Sequence, residues 1–123
     1  MNSSNKELLA IYEAFPKAFI NSNNEMIIYP PKNIYFLLDN VSNELELQCK
    51  VLEWCSREAS KGYGWQSRKY HREGMCTFFK RDFTQEELDD IYTYLGNGIN
   101  RSKTIEYIKS GFNREVLKRK EDD

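Results

Sequence analysis

Apolar residues recur at three- and four-residue spacing along most of this chain, which predicts helices. Ser4-Asn5-Lys6-Glu7 has the form of a capping box. Behind it, Leu8, Leu9, Ile11, Tyr12, Phe15 and Phe19 give one apolar face. Pro16 lacks an N–H and disfavours helical geometry at Phe15, so this helix should end or bend there. The pattern changes after the turn cluster Asn21-Ser22-Asn23-Asn24. Glu25-Met26-Ile27-Ile28-Tyr29 and Asn33-Ile34-Tyr35-Phe36-Leu37-Leu38 are β-rich runs on either side of Pro30-Pro31-Lys32. They predict a small antiparallel hairpin that leans on the helices and has an open edge.

Ser42 or Asn43 caps the next helix, and Asn43 and Glu46 have capping-box spacing. Its stripe holds Leu45, Leu52, Cys55 and Ala59, with Val51 beside it and Trp54 off it. Ser60 to Gly64 break that helix, and a third is expected from about Gln66 to Phe79, weakened at Gly74. Thr84-Gln85-Glu86-Glu87 is a further capping box, followed by the apolar face Leu88, Ile91, Tyr92 and Leu95. Gly96-Asn97-Gly98 ends the helix, and Asn100 or Ser102 starts another that carries Ile105, Tyr107 and Ile108. Gly111 stops it, with Phe112 where a Schellman motif places its hydrophobic contact. Asn113 to Lys120 add a last short helix with Val116 and Leu117. The expected fold is α+β, mostly helical: about four to six helices with one small antiparallel β-hairpin. It forms a single domain over 1–123, with 118–123 as a frayed tail.

Composition agrees with a folded domain: 40% of the 123 residues are hydrophobic and 14% aromatic. No apolar run approaches the roughly 20 residues that a bilayer requires. Met-Asn-Ser-Ser-Asn-Lys has no hydrophobic signal core. A cytosolic protein with no membrane partner is therefore expected, and Cys49, Cys55 and Cys76 are expected as reduced, mostly buried thiols. The net charge of −1 is unevenly spread. Between Arg57 and Arg81 lie seven Lys/Arg against two Glu, together with His71 and Trp65. Basic charge beside aromatic rings suits a polyanion or an acidic partner.

Catalytic signatures are absent. Cys49, Cys55, His71 and Cys76 offer a Cys3His set for zinc, but six residues on one helix put Cys49 and Cys55 about 240° apart. His71 and Cys76 diverge by about 140° and make no nucleophile pair. His71 then reads as a helix-surface residue among cations. The carboxylates Glu86, Glu87, Asp89 and Asp90 suit the first turns of a helix, where the macrodipole favours negative charge. No cofactor motif is present. What remains is a binding surface. Tyr63, Trp65 and Tyr70 can stack on a ligand, and Arg68, Lys69 and Arg72 share one helix face. Arg101 and Lys103 form a second cationic group at a helix N-terminus, where phosphate contact is favoured.

Four segments carry a resemblance. They are Leu47-Gln48-Cys49-Lys50-Val51-Leu52-Glu53-Trp54, Lys69-Tyr70-His71, Ile91-Tyr92-Thr93-Tyr94-Leu95-Gly96-Asn97-Gly98-Ile99-Asn100 and Lys109-Ser110-Gly111-Phe112. In this order, over roughly residues 30 to 117, the chain resembles small uncharacterised proteins of temperate phages and prophages of low-GC Gram-positive bacteria. That resemblance implies an accessory protein working in a host cytoplasm. The expected function is non-enzymatic: binding a host or defence protein through the basic, aromatic surface, with anti-CRISPR-like inhibition of a defence nuclease as one form of it. The alternative is a DNA- or RNA-binding regulator of a phage or prophage.

Overall fold

The computed structural model describes residues 2–19, 23, 25, 35–59, 65–95 and 101–119, and the side chains of most of these. Its elements are α1 (Asn2–Ala14), α2 (Glu44–Ala59), α3 (Trp65–Phe79), α4 (Gln85–Leu95), α5 (Arg101–Lys109) and α6 (Arg114–Lys118), with 3-10 turns at Pro16–Phe19 and Phe36–Leu38. The fold is helical throughout the described residues, and the expected α+β class is corrected accordingly. The second hairpin strand should have reached Leu38. Instead Tyr35 is helical and Phe36–Leu38 form a 3-10 turn. That turn buries Leu37 completely against α1 and α2. The Lys50 ammonium fixes the exit of the turn by donating to the Asp39 carbonyl. Strand propensity in such a run is a preference for half-buried packing, and a helical neighbourhood satisfies it equally. Of the first strand, Glu25 to Tyr29, only Glu25 is among the described residues, and it has no regular structure.

At the centre is α2, which packs on α3, α4 and α5. Its residues from Val51 to Ser56 are all buried, so the single apolar stripe read from the sequence is too narrow. Trp54, expected off that stripe, is only 4% exposed. A helical segment buried on every side is what a central position produces. All six helices of the described residues contribute to one core cluster, among them Ile11, Leu52, Met75, Leu88, Tyr107 and Leu117.

Local signals set most helix ends. Asn43 Oδ1 accepts the Glu46 N–H at 2.9 Å, while Glu46 takes the Ser42 hydroxyl at 2.8 Å. At α4 the capping box is reciprocal: Thr84 Oγ1 accepts the Glu87 N–H at 3.1 Å, and Glu87 Oε1 accepts the Thr84 N–H at 2.8 Å. The end of α5 is a complete Schellman motif. Phe112 N–H donates to Tyr107 O at 2.9 Å, Gly111 N–H donates to Ile108 O at 3.1 Å, and Gly111 has φ +78°. The Phe112 ring meets the Tyr107 ring edge-on at 5.4 Å, the contact expected from sequence. Asn113 Oδ1 then caps α6 by accepting the Glu115 N–H at 3.0 Å.

Two boundaries differ from expectation. Helix α1 starts at Asn2, so Ser4 lies inside it and does not cap it. Lys118 belongs to α6, which removes it from the frayed tail. Asn100, offered as a cap, lies outside the described residues, as do Gly96-Asn97-Gly98 and 120–123. Among the described residues no helix is long and apolar enough to cross a membrane.

Gly74 has a packing role that outweighs its poor helix propensity. A Cβ at this position would collide with the Phe15 ring, so the ring sits directly on the α3 backbone. Phe15 in turn meets Trp54 edge-on at 5.3 Å.

Candidate functional site

The surface nominated from sequence is only partly assembled. Tyr63 lies outside the described residues. Trp65 and Arg68 lie in the first turn of α3, and their side chains are outside the described set. Lys69 is exposed and Tyr70 half-buried, with Lys17 Nζ 5.3 Å from the Tyr70 ring centre and 3.9 Å from Glu73. Arg72 turns inward, where its Nε donates to Phe83 O at 3.0 Å and ties α3 to the approach of α4.

The second cationic group is engaged inside the fold. Arg101 donates from Nη2 and Nε to the two carboxylate oxygens of Glu53, at 2.8 and 3.1 Å. The hydrogen bonds to Glu53 raise the Arg101 pKa further above its already high value. Lys103 donates to Leu117 O and Arg119 O, both at 2.8 Å, and closes the C-terminal end of α6. Arg81, the last cation of the basic stretch, gives Nη2 to Glu87 Oε2 at 3.1 Å. Its guanidinium also stacks 4.4 Å from the Phe83 ring and 4.9 Å from the Phe112 ring.

Two acidic residues of α4, Glu87 and Asp90, are likewise drawn into the fold, while Glu86 and Asp89 stay exposed. Burial alone would raise the Glu87 pKa, but the Thr84 N–H and Arg81 outweigh it and hold the carboxyl below its usual range. Arg114 reaches Asp90 at 2.6 Å and Glu86 at 3.7 Å.

His71 departs furthest from expectation. It is 5% exposed, not a surface residue, and its ring meets Trp54 at 5.4 Å and Phe15 at 6.3 Å. Cys49 and Cys55 are buried and Cys76 is half-buried. Burial pushes the Cys49 thiol up to about 11, far from a reactive thiolate. Among the described residues, no His/Cys/Asp/Glu group stands where it could hold a metal.

A concave feature of the described surface lies elsewhere. A groove of about 1110 Å³ runs between α1, the segment after the second 3-10 turn, the start of α2 and the end of α3. Ala10, Ala14, Leu38, Val41, Leu47 and Phe78 line it with apolar surface, interrupted by the polar side chains of Asn40, Ser42, Asn43, Gln48 and Thr77. Charge enters from Glu7, Glu13 and Glu44, against Lys80. Four separate segments build this groove, which hid it from a linear reading. The legible trace was the row Glu7, Ala10, Glu13, Ala14 on one side of α1, small and acidic where the opposite side is large and apolar. No protein-family model matches the chain, and no match was found among the curated proteins or among the solved structures.

Proposed function

We propose that this chain is a non-catalytic interaction protein, of the kind that phages and prophages encode, and that it acts by engaging a host protein. The observation that carries this reading is the make-up of the groove: six apolar residues among five uncharged polar ones, with three carboxylates and one lysine. Such a groove suits a protein segment and repels a phosphate backbone. The cations offered for nucleic acid weaken that alternative further, since Arg72, Arg101 and Lys103 each close contacts within the fold. Inhibition of a defence nuclease is one action that such a protein performs by occupancy alone.

Site-specific photocrosslinking in a low-GC Gram-positive host tests the reading. A photoreactive side chain at Gln48, in the groove, should capture a discrete host protein, and one at Lys69 should capture little. Capture of nucleic acid from Lys69, with none of protein from Gln48, would move the assignment to a DNA- or RNA-binding regulator.

A further inference from the structure

Resting on that reading, we infer that the groove receives a cationic amphipathic helix of the partner. Three observations carry this. First, the wall from α1 presents small residues: Ala10 and Ala14 both line the groove. Side chains this small let another helix approach closely, and an amphipathic helix laid in an apolar groove is a recurrent mode of recognition. Second, the size fits. A helix about 10 Å across rising 1.5 Å per residue fills roughly 120 Å³ per residue. The volume of about 1110 Å³ therefore accommodates roughly nine residues, two and a half turns. Third, the charge is one-sided. Glu7 and Glu13 lie six residues apart on α1, and Glu44 stands across the groove at the start of α2. Lysines flanking the apolar stripe of a bound helix would meet carboxylates on both walls, with Lys80 the groove's own cation.

The same arrangement disfavours an acidic helix, which would face three like charges. Discrimination between basic and acidic partners thus resides in the walls, while the lining sets affinity.

The test uses the full chain and three labelled 14-residue peptides: a Leu/Lys helix with amphipathic spacing, a scrambled version of equal charge, and a Leu/Glu helix with the same apolar spacing. Fluorescence anisotropy should show saturable binding of the Leu/Lys helix alone. Its affinity should fall at least tenfold between about 50 and 300 mM salt. Glu7→Lys with Glu13→Lys should weaken binding at least tenfold, and Ala10→Trp should abolish it, with circular dichroism checking that both variants stay helical. Amide NMR shifts should cluster at Ala10, Val41 and Leu47. Equal binding of the scrambled peptide, preference for the Leu/Glu helix, or indifference to the charge reversals would overturn the inference. So would a concentration-dependent dimer dissolved by Ala10→Trp, which would make a second copy the occupant. If Gln48 captures a host protein while the Leu/Lys helix neither binds nor competes, the functional reading stands and this chemistry falls. If Gln48 captures nothing, the functional reading itself falls.

Discussion

Glu53 and Arg101, forty-eight residues apart, meet through two parallel hydrogen bonds of 2.8 and 3.1 Å, and the acid is almost wholly buried whereas the base is not. That difference predicts unequal costs. Arg101→Ala strands a carboxylate whose side chain is 3% exposed and should cost about 3 kcal/mol. Glu53→Ala releases a guanidinium already 39% exposed, which water can solvate, and should cost about 1–2 kcal/mol. Urea unfolding of both variants checks the order. Arg101→Lys should recover little, because lysine has no planar fork.

Gly74→Ala should destabilise, against the ordinary direction. Helix propensity alone favours alanine by about 1 kcal/mol. Here the new methyl meets the Phe15 ring, and the overpacking should leave a net loss of about 1–3 kcal/mol. Shrinking the ring should remove the conflict, so a Phe15→Leu/Gly74→Ala double-mutant cycle should show favourable coupling.

Stability should depend on pH through Glu87. Its folded pKa is depressed, so its contribution is complete above the unfolded value of about 4.3 and disappears as pH falls through the folded value. Glu87→Gln should therefore be less stable than wild type by about 1 kcal/mol at pH 7. The difference should close as the pH falls below about 4. Thermal melts of the two proteins at pH 7, 5, 4 and 3 give the measurement.

Thiol labelling should be ordered. Cys76 is half-buried, while Cys49 and Cys55 are buried and the Cys49 pKa is raised to about 11. Iodoacetamide at pH 8 should modify Cys76 first, and Cys49 and Cys55 only with unfolding. Peptide mass mapping over time separates the three.

The capping boxes at Asn43 and Thr84 and the Schellman end at Gly111 were legible because their partners lie within a few residues of each other. Tertiary pairing was not. Nothing near Arg101 in sequence announces Glu53, and nothing near Arg72 announces the Phe83 carbonyl. Within the basic stretch, Arg72 and Arg81 are thus engaged inside the fold, while Lys69 and Lys80 stay exposed. His71 was misread for the same reason: its neighbours Arg72 and Lys69 are charged, but its own face of α3 meets Phe15 and Trp54. The run ending at Leu38 looked like strand because its residues favour burial, and burial is what Leu37 obtains in a 3-10 turn.

The seating of Phe15 on Gly74 reaches beyond stability. It sets how near the end of α1 can come to α3, and both helices also line the groove, through Ala14 on one and Thr77 and Phe78 on the other. The aperture is therefore gauged from behind. A single methyl group at position 74, touching no bound molecule, would reset the spacing that any partner has to match.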